Sequence, residues 1–149
     1  MVDILNVVCV ENALDVLQGN QQAIFGKFTP QHMVEHLLFT LEISVGKYKQ
    51  ELVSKEEQRE ALRAFLYSEK ELRFGAKAPF LTDELPPLVY SNLEEAIMKL
   101  KETLTHFFDY YEHSTDQHTH PVFGLLNREE WIMFHNKHFT HHFKQFGLV

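Results

Sequence analysis

The stretch NREEWIMFHNKHFTHHFKQFG, Asn127 to Gly147, reads as one long helix from its first residue to its last. Asn127 offers a capping side chain, and Glu130, three residues on, can return to the cap's own amide, the reciprocal pairing that opens a helix. Gly147 can take the left-handed backbone that closes one. On a helical wheel Trp131, Phe134, His135, His138, His142 and Gln145 fall near one direction, with Phe139, Phe143 and Phe146 on the adjoining arc. Lys137, Thr140 and Lys144 take the opposite side, which this reading assigns to solvent. His138 and His142 are four apart, so their Cβ atoms stack roughly 5–6 Å apart on one face, within reach of one metal ion.

Working outward, two more helix starts are well marked. Thr29-Pro30 sets a capping hydroxyl before a proline suited to the first helical position, and Met33, His36, Leu37, Thr40 and Leu41 follow at helical spacing towards about Lys49. Ser91-Asn92-Leu93-Glu94 reads as a capping box ahead of Ile97, Leu100, Leu104, Phe107 and Phe108. Weaker patterns predict a short helix from Ser54 towards Lys70 and another over Glu11–Leu17. The stretch from Arg73 to Tyr90, with Gly75, Pro79, Pro86 and Pro87, and the stretch from Ser114 to Leu126 read as irregular connections. No alternating strand pattern appears. The expected fold class is therefore all-α, a helical bundle with short extra helical segments in one domain over residues 1–149.

Composition narrows the function. The chain has 149 residues and a formal net charge of −7, with no basic stripe, so it has little to offer a phosphate backbone, and no nucleic-acid partner is expected. One cysteine, Cys9, excludes an internal disulfide and a cysteine-based zinc site; it reads as a small core residue. No apolar run approaches the roughly 20 residues of a membrane span, and no leader pattern opens the chain. No membrane partner and a cytoplasmic location are the expectations. Thirteen phenylalanines supply bulk for packing between helices. Ten histidines, crowded towards the end of the chain, are the unusual feature.

Two imidazoles do not complete a metal site. His36, in the apolar stripe of the Thr29 helix, is the strongest third ligand; His32, one turn earlier, is the alternative and sits closer to the exposed helix start. Three histidines leave a coordination position free for water or a substrate, which suits a catalytic site, and imidazole accepts Zn, Ni, Cu and Fe alike. Gln145, one turn beyond His142, can fix a ligand from behind, and Trp131 shares its arc. His120 is open to three readings: an extra ligand, a general base, or a loop residue beside Pro121. The pattern leaves His118, His135 and His141 unassigned, and His106 and His113 read as structural or solvated. The chain has no HExxH, GxSxG, Walker loop, GxGxxG or di-iron Glu-x-x-His signature.

With these residues in view, the chain resembles the DinB-like superfamily of metal-dependent four-helix bundles. Thr29-Pro30-Gln31-His32-Met33-Val34-Glu35-His36-Leu37 is similar to that family's second-helix segment, with the ligand at His36. His138-Phe139-Thr140-His141-His142-Phe143-Lys144-Gln145 fits its HxxxHxxQ final-helix pattern. His120-Pro121-Val122-Phe123-Gly124, with Trp131, resembles a poorly characterised branch of it. The resemblance implies an up-down-down-up bundle, frequent homodimers, and Zn or Ni held by His36, His138 and His142. It implies a thiol-dependent transferase, with a low-molecular-weight thiol as co-substrate, or a hydrolase, acting on a small molecule. The competing expectation is a non-catalytic, metal-stabilised bundle that serves as a binding or stress-response protein. A haem bundle fits less well, because histidines on adjacent turns suit a small ion better than a macrocycle.

Overall fold

The free amides of a helix's first turn need acceptors, and short polar side chains open four of the five described α-helices. The computed structural model describes residues 1–74 and 84–149. Helix α1, Val7–Asp15, is opened by Asn6, whose Oδ1 accepts from the Cys9 amide. Helix α2, Pro30–Ser44, is opened by Thr29, whose hydroxyl accepts from the His32 amide at 3.2 Å. A 3-10 turn over Glu56–Gln58 leads into α3, Arg59–Leu66. Helix α4, Leu93–Glu112, is capped by Asn92, and α5, Arg128–Gln145, by Asn127 with Glu130 returning to it. Gly147, at φ 65°, follows α5 in the left-handed conformation.

Several expectations shift. The capping pair of α4 lies one residue later than Ser91–Glu94: Asn92 accepts from the Glu95 amide, and the Glu95 carboxylate accepts from Ser91. The Ser54 hydroxyl donates instead to the Val122 carbonyl, and Gln58 answers the Lys55 amide. Helix α1 starts before Glu11 and ends before Leu17, although Leu14 and Leu17 are both buried. Helix α2 stops at Ser44 rather than near Lys49, because Gly46 turns left-handed at φ 81° and the His118 ring packs on its bare Cα. Cys9 is exposed, not a core residue. Of the predicted breakers, Gly75 and Pro79 lie outside the described residues.

The stretch from Ser114 to Leu126 is not wholly irregular. His118–His120 (β1) and Gly124–Leu126 (β2) pair antiparallel, with His118 opposite Leu126 and His120 opposite Gly124. The intervening turn is fastened by the His120 ring, whose Nδ1 accepts from the amides of Val122 and Phe123 at 3.0 and 3.2 Å. Gly124, at φ 83°, closes it. The protein is otherwise helical among the described residues, and no described helix is long and apolar enough to cross a membrane.

Helix α2 packs most extensively against α4, and Met33, Leu37, Leu41, Leu100, Leu104 and Phe107 are buried there. Helix α5 is buried round most of its circumference, including the side expected to meet solvent. Lys137 passes under the end of α3: its ammonium donates to the Ser68 and Lys70 carbonyls at 2.5 and 2.6 Å and lies 4.8 Å from the Phe65 ring centre. Thr140 is covered by the N-terminal segment, its hydroxyl accepting from the Val2 amide at 2.7 Å. Asn136 likewise accepts from the Ile4 amide at 2.8 Å. Lys144 alone of that trio remains partly exposed, paired with Glu71.

The contrast between the two lysines gives a stability test. Lys137→Ala takes the donor from the Ser68 and Lys70 carbonyls and removes a buried, packed stem, and should cost about 2–3 kcal/mol. Lys144→Ala loses only a surface ion pair and should cost under about 0.5 kcal/mol. Urea denaturation of both variants measures the difference, and equal losses would contradict the buried role of Lys137.

Candidate metal centre

Three imidazoles from two helices meet in the interior. His36 comes from α2, and His138 and His142 come from consecutive turns of α5. One nitrogen from each lies within 4.8 Å of the other two. The ring centres are 4.7, 4.8 and 4.9 Å apart, and the ring planes cross at 72–79°, so the rings stand edge to face around a common centre. His36 Nε2 and His138 Nε2 are 3.0 Å apart. Two nitrogens bound tetrahedrally to one ion at 2.0–2.1 Å would be about 3.3–3.4 Å apart, so the observed spacing is close to that of a shared ion.

Burial decides the charge of these rings. Removal from water disfavours an imidazolium, and it lowers His36 to about 4, with the neighbouring His141 adding to the effect. His138 and His142 are held well below the ordinary histidine value, chiefly by burial, with His142 and then His36 lowering His138 further and His36 lowering His142 further. All three are neutral at pH 7, the form in which imidazole binds a metal. The donor set therefore fits a divalent ion.

Gln145 fixes one of the three. Its Nε2 must donate to the Phe25 carbonyl, 2.9 Å away, which leaves Oε1 facing His142 Nδ1 at 2.9 Å. His142 Nδ1 therefore carries the proton, and its Nε2 keeps a free lone pair. His138 has no such support: its Nδ1 is buried without a partner. Its orientation comes from packing, with Phe134 stacked on the ring at 5.0 Å between centres. Phe28 stacks on His142 at 5.7 Å and also contacts His36. The sequence places Phe134 on the face of His138, one helical turn before it, but does not single out Phe28, which immediately precedes the cap of α2.

The remaining candidates lie outside the cluster. His32 accepts from the Thr29 hydroxyl at 2.6 Å and donates to the Pro86 carbonyl at 3.1 Å. His120, at the end of β1, has its Nδ1 taken by the hairpin amides and its ring on Phe134 at 4.3 Å. Among the described residues Trp131 packs on His120, Phe134 and His135 rather than on the three converging rings. His135 is fully buried, with neither ring nitrogen paired. His141 sits between Phe25 and Phe74. His118 bonds to the Tyr110 hydroxyl at 2.8 Å, and His106 and His113 are exposed.

Fold and site together define a mostly helical protein with a buried three-histidine cluster able to hold a metal ion. The chain belongs to the family of proteins of unknown function DUF1569, which matches residues 3–147. Neither a curated protein nor a solved structure matches it.

Burial of neutral histidines also sets the acid response. His120 and His135 are both lowered to about 3 by burial, and His36 to about 4. The unfolded chain takes up these protons near pH 6.5, while the folded one refuses them until about pH 3–4. Their stabilising contribution is therefore complete above pH 6.5 and is lost as pH falls towards 3, at up to about 1.4 kcal/mol per pH unit for each group. In metal-free protein the urea midpoint should drop steadily between pH 7 and pH 4, and His135→Phe should flatten the slope. A midpoint independent of pH over this range would contradict the buried, neutral assignment.

Proposed function

We propose that the protein is a metal-dependent enzyme whose His36, His138 and His142 hold one divalent ion, Zn or Ni, and leave a position beside it for a small-molecule substrate. The observation that carries this reading is the convergence of three neutral imidazoles, with His142 locked by Gln145 in the tautomer a metal requires. When bound, such an ion supplies Lewis acidity and lowers the pKa of a thiol or water beside it. The residues of the chain hold the rings neutral, orient them, and surround them with the apolar faces of Phe28 and Phe134.

The order of the motifs, a ligand histidine on α2 followed by HxxxHxxQ on the last helix, supports placing the chain with the DinB-like bundles. On that placement the architecture is an up-down-down-up four-helix bundle, and the protein works as a homodimer. The reaction is a transfer to or from a low-molecular-weight thiol, or a hydrolysis in which water replaces the thiol.

Elemental analysis of the purified protein tests the centre. About one equivalent of metal is expected, His138→Ala should lose it together with any activity, and His32→Ala should keep both. Metal retained at wild-type level by His138→Ala would remove the assignment. Assays run with and without a low-molecular-weight thiol separate the two chemistries, because a hydrolase is indifferent to the thiol.

A further inference from the structure

Gly26, in the connection between α1 and α2, bears directly on the ligand set although it touches no imidazole. Its backbone is left-handed at φ 77°, and a Cβ placed on it would lie 2.7 Å from Gln145 Nε2. Contact that close is impossible for a real Cβ, so the bare Cα of Gly26 is what admits the Gln145 amide to this position. The amide reaches the carbonyl of the preceding residue, Phe25, at 2.9 Å, and its other end accepts the His142 Nδ1 proton at 2.9 Å. The same connection is pinned to the end of α5 by the Ile24 amide donating to the Gln145 carbonyl at 2.8 Å and by Gln21 Nε2 donating to the Phe146 carbonyl. Phe28, two residues on from Gly26, stacks on His142.

We propose that Gly26 is a positioning residue of the three-histidine centre. By leaving room for the Gln145 amide against the Phe25 carbonyl, it fixes the tautomer and ring orientation of His142. The chain of dependence runs from a backbone carbonyl through a glutamine to a ligand, and Gly26 is its narrowest point. The clashing atom is the far end of the Gln145 side chain, so a methyl group at residue 26 displaces that amide from the Phe25 carbonyl and from His142 rather than moving the backbone. The proposal rests on the reading of His142 as a metal ligand.

The test is a double-mutant cycle on Zn²⁺ affinity, measured by chelator competition, with the His142 tautomer of the metal-free protein read from its ¹⁵N chemical shifts. Gly26→Ala and Gln145→Ala should each weaken Zn²⁺ binding 10- to 100-fold, as loss of a ligand's hydrogen-bonded support does. The double variant should bind no more than about twofold more weakly than Gln145→Ala alone, because both act through one amide. Gly124→Ala controls for the cost of a left-handed alanine: it has φ 83° and only an ordinary 3.9 Å contact with Leu52, and its affinity should stay within about twofold of wild type. Should Gly26→Ala melt, Gly26→Asn tolerates the left-handed backbone while still carrying the obstructing Cβ. Additive losses in the double variant, or a wild-type-like Nδ1–H signal for His142 in Gly26→Ala, overturn the proposal. Wild-type protein that binds no Zn²⁺ would remove the enzymatic reading instead, and the tautomer signal would still decide the role of Gly26.

Discussion

The 3.0 Å approach of His36 Nε2 to His138 Nε2 is the contact on which the interior depends. Two neutral acceptors at that distance repel each other, so either one carries a proton or a cation lies between them. The proton count is tight. Each neutral imidazole has one N–H, and His142 has committed its own to Gln145. If His138 donates from Nε2 to His36, its Nδ1 is a bare buried acceptor; if the proton sits on Nδ1, that nitrogen is a buried donor without a partner. Either way an unpaired polar atom costs about 1–3 kcal/mol. An ion that takes up the converging lone pairs removes the repulsion between the two Nε2 atoms, with the proton of His138 then on its unpaired Nδ1.

That contact is maintained by the packing around α5. A helix that brings two imidazoles to the centre of a protein cannot present a wide polar face to water. Lys137 and Thr140 are accordingly covered by the segment after α3 and by the N-terminal residues. Phe134, Phe139 and Trp131 pack against His135 and His138, with Phe143 behind Phe139. The aromatic surroundings also keep the local dielectric low, so the imidazoles remain neutral, and each one deepens the acid sensitivity of the fold.

The α5 share of the histidine cluster and its cap were legible in the sequence because they are local, whereas His36 was placed from its apolar stripe. Asn127 and Glu130 are three residues apart, His138 and His142 four, and His142 and Gln145 three, and helical geometry alone makes such neighbours meet. Features that depend on distant partners left no such trace. The polarity of Lys137 suggested solvent, and only carbonyls at Ser68 and Lys70 make its burial tolerable. The hairpin at His118–Leu126 has strands too short for alternation to register, and the side chain that fastens it, His120, was open to three readings. Thr29 capped α2 as expected, but the stop at Ser44 is imposed by the His118 ring on Gly46, a contact between residues far apart in the chain.

The three ligand positions are held by unequal means, and the inequality has a direction. His142 is locked at both levels, by a hydrogen bond to Gln145 and by the Phe28 ring. His138 is oriented by the Phe134 ring and the neighbouring imidazoles, and among the described residues its Nδ1 has no partner. His36 enters from another helix and depends on α2 keeping its place against α5. A distortion in the connection between α1 and α2 therefore reaches two ligands at once: His142 through Gln145 and Phe28, and His36 through Phe28 and the start of α2 at Thr29. The segment from Gln21 to Thr29 thus bridges the helix carrying His36 and the helix carrying His138 and His142.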